Sequence, residues 1–147
     1  MKLKLLLVLT LFLALAACDG LWVRSIDISP VDASPNAQMM KLRNGIAQTV
    51  SDVAKSYGYR CQLGHTVFVF SSGVPVSHCD RAGYETIDVT EYPDVYEVSV
   101  VIMHPGPFGS PPQYFVSLTD DLAKALSAKY GGTVKVTDGF PDHKPKN

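Results

Sequence analysis

The sequence lacks the short motifs that identify common enzyme classes. It contains no Gly-x-Ser-x-Gly nucleophile motif, no His-Glu-x-x-His zinc motif and no phosphate-binding loop. No serine or cysteine can be assigned as a nucleophile with a partnered base. These absences favour a protein that is not an enzyme, and we expect no cofactor.

The chain also has no surplus of positive charge. Its 147 residues include 13 Lys and Arg against 14 Asp and Glu, a formal net charge of −1 at pH 7. A nucleic-acid-binding protein needs a basic face to neutralise phosphates. The composition therefore argues against a nucleic-acid partner, and it argues equally against electrostatic binding to anionic lipid.

The apolar run at the N-terminus is too short to span a bilayer. Leu5–Ala17 is apolar except for Thr10, and it follows the positive residues Lys2 and Lys4. A spanning helix needs roughly 20 apolar residues. A positive start followed by a short apolar run is typical of a secretory signal peptide, which we predict over residues 1–17.

The last residues of this run carry a resemblance to a known class of exported proteins. Leu15-Ala16-Ala17-Cys18 resembles the lipobox of bacterial lipoproteins, in which small residues precede an obligatory cysteine. The resemblance implies cleavage before Cys18, diacylation of its thiol and acylation of the new amino group. Two or three acyl chains suffice for stable anchoring. An ordinary secreted protein, cut after the Ala14-x-Ala16 pattern, is the alternative.

Residues 18–20 would then form a lipidated short tether, and the domain would face the periplasm. Asp19 resembles the inner-membrane retention signal of enteric lipoproteins, although an outer-membrane location stays open.

Removal of Lys2 and Lys4 with the leader lowers the basic count from 13 to 11 against 14 acidic residues, a net charge of −3. The expected partners are the membrane, through the lipid anchor, and a protein of the envelope.

The chain has only three cysteines, and Cys18 is assigned to the lipid. Cys61 and Cys79 remain, and a disulfide between them is the default in an oxidising compartment. The alternative is a tetrahedral zinc site formed by these two cysteines with His65 and His78. Adjacent His78 and Cys79 would point to opposite faces of an extended segment, which disfavours the metal site.

Hydrophobic periodicity predicts a single α+β domain over residues 21–138 and a flexible tail over 139–147. The predicted order is β-α-β-β-β-α-β: a ferredoxin-like two-layer sandwich with a mostly antiparallel sheet and two amphipathic helices on one face. Loops are expected from Ser71 through Cys79 to Gly83 and over His104–Pro112. The predicted strands are 21–29, 60–70 (core 66–70), 84–90, 95–103 and 133–137; the first helix is 35–57, and the second follows a capping box at Ser117 and Asp120.

Two regions of the predicted domain are rich in contact-forming side chains. Acidic residues alternate with tyrosines over 84–97, and the loop 105–114 combines prolines with aromatic residues. Such surfaces suit a protein-interaction module, which would be an accessory subunit of an envelope complex or an inhibitor or immunity-type protein. The candidate partner-binding residues are Tyr84, Glu91, Tyr92, Tyr96, Phe108 and Tyr114. The alternative function is an envelope enzyme or metal-binding protein that uses His65, His78 and His104.

Overall fold

The computed structural model describes residues 20–29, 37–64, 73–82, 84–106, 109–130 and 133–141. The predicted signal peptide, Cys18 and Phe108 lie outside these ranges. Within them the chain forms six strands, two α-helices and a short 3₁₀-helix (Pro93–Val95). The strands are β1 (Gly20–Ser29), β2 (Arg60–Leu63), β3 (Val74–Arg81), β4 (Glu85–Tyr92), β5 (Glu97–Gly106) and β6 (Thr133–Asp138); the helices are α1 (Ala37–Ser56) and α2 (Gln113–Tyr130).

The strands form one sheet in the order β2-β3-β4-β5-β1-β6, and all neighbouring strands are antiparallel. Strand β1 lies between β5 and β6, which are connected through α2. This arrangement is the split βαβ unit of ferredoxin-like folds. The predicted α+β class, with a two-layer sandwich and a mostly antiparallel sheet, is confirmed.

Both helices pack on the same face of the sheet. One continuous core joins Ile46 and Val50 of α1, Leu122 of α2, and Ile26 and Val100 of the central strands. Each of these side chains is fully buried. The apolar stripes that repeat every three or four residues therefore face the sheet, as their helical spacing predicts. Neither helix within the described residues has the length and hydropathy to cross a membrane.

The second helix begins before the predicted capping box. Helix α2 starts at Gln113, and the carbonyl of Pro112 accepts the N–H groups of Phe115 and Val116 at 3.0 and 3.3 Å. Ser117 therefore lies inside the helix and does not cap it. Pro111 and Pro112 have no N–H to donate to a preceding helical turn, so the helix does not extend back through them and begins at Gln113.

Strand β3 occupies a segment that the sequence predicts as a loop. Its Pro75 and Asp80 disfavour a strand, but β3 pairs with β4 on one side and with the short edge strand β2 on the other. A register shift between Pro75 and Ser77 accommodates the proline. Pairing with two neighbours thus overrides local propensity. The predicted strand core at 66–70 lies outside the described residues.

Strand β5 also continues further than predicted. It runs to Gly106, so that His104 is a strand residue opposite Trp22 and not the first residue of a loop. A Cβ at position 106 would overlap the Trp22 ring, so this close approach requires glycine. The extension places His104 within the helix-covered layer.

Candidate functional site

A row of four side chains crosses one end of the sheet on the face that the helices cover. Trp22 of β1 lies opposite His104 of β5, and Arg81 of β3 lies opposite Glu85 of β4. Glu85 and His104 continue the β4–β5 register one step beyond Thr86 and Met103. Directly opposed residues have Cβ atoms about 4.5–5.5 Å apart. The antiparallel register alone therefore brings a carboxylate, an imidazole and a guanidinium together.

The helical layer adds two tyrosines to this row. Tyr114, in the first turn of α2, donates its hydroxyl to Glu85 Oε1 at 2.6 Å. Tyr59, just beyond α1, donates to Glu85 Oε2 at 3.3 Å, and Arg81 Nη1 lies 3.5 Å from the same oxygen. The Glu85 carboxylate is buried, yet both of its oxygens have donors. A buried charge is tolerated under these conditions.

We call Glu85, His104, Arg81, Tyr59 and Tyr114 the Glu85 cluster. Its contacts hold His104 in one orientation. Its Nδ1 lies 3.2 Å from Glu85 Oε1 and 3.0 Å from the Tyr114 hydroxyl. Trp22 stacks parallel to the imidazole, with ring centroids 5.3 Å apart and an interplanar angle of 5°. A proton on Nδ1 directed at the carboxylate leaves the lone pair on Nε2. This arrangement allows Nε2 to accept a proton, as in general-base chemistry.

The two tyrosines of the cluster are strongly biased toward their protonated forms. Burial raises the pKa of Tyr114 well above its usual value of 10.0, and the hydrogen bond to Glu85 raises it further. Burial also raises the pKa of Tyr59, and the negative charge of Glu85 adds to the effect. Both hydroxyls therefore remain donors to the carboxylate at neutral pH.

The six candidate partner-binding residues do not form one surface. Glu91 is buried and forms an ion pair with Arg43 at 2.5 Å. Tyr92 is also buried; burial, followed by the nearby charge of Asp27, raises its pKa to about 12. Tyr114 belongs to the Glu85 cluster, and Phe108 lies outside the described residues. Tyr84 and Tyr96 are exposed, but they lie at opposite ends of β4.

A disulfide removes both thiols from the alternative zinc site. Cys61 and Cys79 lie opposite each other on β2 and β3 and form a disulfide. His78 points to the opposite face of the sheet from Cys79, and its Nδ1 lies 2.8 Å from Asp88 Oδ1. His65 lies outside the described residues. No group of three potential metal ligands occurs in the part of the chain that the structure describes.

A cavity of about 480 Å³ opens beside the Glu85 cluster, where β1 begins and β6 ends. Trp22 and Phe115 line this cavity, and the rings of both residues also contact the His104 ring. Arg24 lines the cavity as well, and its Nε donates to Asp138 Oδ1 at 2.7 Å. The cavity is therefore mostly apolar, and its one guanidinium is already paired.

The other end of the sheet has the opposite character. We call it the distal end and define it by Leu63, Val74 and Tyr96, which flank the β2–β3 and β4–β5 connections. Leu63 is 74% exposed, Tyr96 45% and Val74 38%. Tyr96 also has a left-handed backbone with φ of 52°. A non-glycine residue in this region is strained, and such strain concentrates at functional positions.

Comparisons with known proteins add little to this geometry. The chain matches no protein-family model, and no curated protein matches it. It is similar to a crystal structure of the adenosylmethionine decarboxylase from Aquifex aeolicus, with a TM-score of 0.44 and 12% identity. The match covers 86% of this chain and 96% of that chain. A likeness this weak carries no argument about the function of the present chain.

Proposed function

We propose that the chain is a lipid-anchored, periplasm-facing lipoprotein whose domain is a protein-interaction module. The observation that carries the proposal is the short distance along the chain between anchor and fold. Only Asp19 separates Cys18, the lipobox cysteine, from Gly20, where β1 begins. A lipid on Cys18 would therefore hold the domain directly at the membrane, in reach of partners embedded in the same bilayer or bound to it.

The direction of β1 then sets the orientation of the domain. The strand leads from the anchor toward the distal end, and its ten residues span about 30 Å. The distal end therefore projects away from the lipid. Its exposed leucine, valine and tyrosine are the side chains that a protein partner would cover, since apolar area and tyrosine anchors dominate binding energy. This assignment keeps Tyr96 from the sequence-based candidates and adds Leu63 and Val74.

Lipidation is tested by the intact mass of the chain recovered from bacterial membranes. We expect a chain that begins at Cys18 and carries the mass of a diacylglyceryl group and an amide-linked acyl chain. Cys18→Ala should abolish both the added mass and membrane recovery. A chain cut after Ala16, with an unmodified Cys18, would refute the anchor.

Partner binding is tested by comparing substitutions at the two ends of β4. Leu63→Ser combined with Tyr96→Ser should lower capture of a specific partner from solubilised native membranes, whereas the matched Tyr84→Ser should leave it unchanged. Both variants must unfold at the same urea concentration as the unaltered protein. Equal capture by all three proteins would overturn the distal assignment.

A second function, an envelope enzyme, is favoured by one observation: the fixed His104 imidazole. Its Nδ1 is held by Glu85 and Tyr114, and no hydrogen bond to a described residue involves Nε2. The test compares hydrolysis of chromogenic ester, phosphate and glycoside substrates by the unaltered protein and His104→Gln. Activity that disappears in the variant would support an enzyme. Absence of activity in both proteins would count against a hydrolase.

A further inference from the structure

We infer that the end of the domain where β1 begins docks on the bilayer surface and inserts Leu21 and Phe140 into it. We call this the β1 end and define it by Leu21, Trp22 and Phe140. The inference rests on the proposed lipid anchor and goes beyond it, because an anchor alone leaves the domain free to tumble on its tether. We therefore assign the lipid surface as the binding partner of this apolar end.

The length of the tether requires this end to be close to lipid. Leu21 is the third residue after Cys18, and three extended residues span at most about 11 Å. The headgroup region on each side of a bilayer is roughly 5–8 Å thick. A thiol acylated at the membrane surface therefore keeps Leu21 within or just above the headgroups, whatever the orientation of the rest of the domain.

The side chains at this end are suited to that position. Leu21 is 50% exposed and Phe140 is 45% exposed. Both residues line the same cavity. Arg24 pairs with Asp138, and the Gly139 N–H extends the ladder by donating to the Val23 carbonyl at 2.8 Å, which brings Phe140 level with Trp22. Phe140 is thereby placed alongside the start of β1. Burial of both side chains in the outer part of the membrane would remove apolar area from water.

The charge at the β1 end does not oppose docking. The Arg24 guanidinium lies 2.7 Å from the Asp138 carboxylate and 3.9 Å from that of Asp120, and Arg24 and Asp138 line the same cavity as Leu21 and Trp22. The mature chain carries a formal charge of −3, so attraction to anionic lipid does not drive the contact. We therefore expect docking on zwitterionic membranes, with little dependence on salt because the contact is apolar.

The single tryptophan of the chain reports on this contact directly. Trp22 is the sole Trp and lies next to Leu21. The lipidated full chain is incorporated into phosphatidylcholine vesicles, with or without bromine atoms on the acyl carbons nearest the headgroup. Docking predicts that brominated lipid quenches Trp22 emission. Leu21→Ser combined with Phe140→Ser should lose most of this quenching while the protein still floats with the vesicles.

The matched control places the same substitutions at the distal end. Leu63→Ser combined with Tyr96→Ser should retain full quenching. Flotation without quenching would overturn the docking while leaving the lipid anchor intact. A chain that carries no lipid and does not float would refute the anchor and the docking together. Concentration-dependent pairing of two copies through Leu21 and Phe140, again without quenching, would assign this end to a second copy and also overturn the inference.

Discussion

The two ends of the sheet differ in which side chains are exposed to water: polar side chains are buried near one end, and apolar side chains are exposed at the other. Near the β1 end, Glu85 and His104 are withdrawn from water and bonded to Tyr114, whereas the distal end leaves Leu63 and Tyr96 exposed. A buried carboxylate is stable only when its oxygens have donors, and here they do. The exposed apolar groups have no such compensation among the described residues. This contrast is the basis on which we propose that another protein covers the distal end.

The largest effect should come from the disulfide that ties the edge strand β2 to the rest of the sheet. The Cys61–Cys79 disulfide joins β3 to β2, the short edge strand that carries Leu63. With a sequence separation of 18, its loss should lower the free energy of unfolding by about 3 kcal/mol. Urea unfolding of Cys61→Ser with Cys79→Ser measures this. An unchanged midpoint would show that β2 does not depend on the bridge.

A smaller loss should follow from opening the polar cluster near the β1 end. Glu85→Ala would leave the Tyr59 and Tyr114 hydroxyls without their acceptor in a buried place. The free energy of unfolding should fall by about 2 kcal/mol. Glu85→Gln keeps one acceptor oxygen and should cost less in the same urea titration. A Glu85→Ala variant as stable as the unaltered protein would show that the Glu85 carboxylate does not stabilise this end of the sheet.

Alkaline pH should weaken the same cluster. The pKa of Tyr114 is raised in the folded state, so the hydroxyl ionises near pH 10 only in the unfolded chain. The stabilisation is fully present below pH 10 and is lost as the pH rises from there toward the higher folded-state pKa. Unfolding measured at a series of pH values should therefore show a declining free energy above pH 10. Tyr114→Phe should flatten this decline, and an equally steep decline in the variant would contradict the assignment.

The smallest effect should come from the strained backbone at the distal end. Tyr96 has φ of 52°, which glycine adopts at no steric cost. Tyr96→Gly should therefore change the free energy of unfolding by no more than about 1 kcal/mol while lowering partner capture. Thermal unfolding and capture of the same preparation separate the two effects. Capture unchanged by loss of the ring would mean that the partner does not contact Tyr96.

The sequence predicts those parts of the fold that depend on local pattern. The apolar stripes of both helices and strand β1 are short-range features, and the structure places them as expected. Strand β3 was missed because Pro75 and Asp80 disfavour a strand, and the register with β2 and β4 that stabilises it is long-range. The disulfide partners are predicted correctly, since Cys61 and Cys79 are the two cysteines left once Cys18 is assigned to the proposed lipid.

The Glu85 cluster illustrates what local pattern cannot supply. From the sequence, His104 begins a loop and Tyr114 is a candidate contact residue, and nothing distinguishes their common partner Glu85 from the other acidic residues of 84–97. Only the β4–β5 register and the earlier start of α2 bring the three side chains together. The residues after Met103, His104-Pro105-Gly106-Pro107, carry no local signal that β5 continues. Glu91 and Tyr92 were misjudged for a related reason, since the strand that bears them lies in the middle of the sheet.

Photo-crosslinking at both ends of the sheet distinguishes a lipid-facing β1 end from a protein-facing distal end. A photoreactive amino acid is placed at position 21 or at position 96 of the full chain in growing bacteria, and adducts are identified by mass. We expect lipid adducts from position 21 and one discrete protein adduct from position 96. Lipid adducts from position 96, or a discrete protein adduct from position 21 with none from position 96, would contradict the proposed orientation.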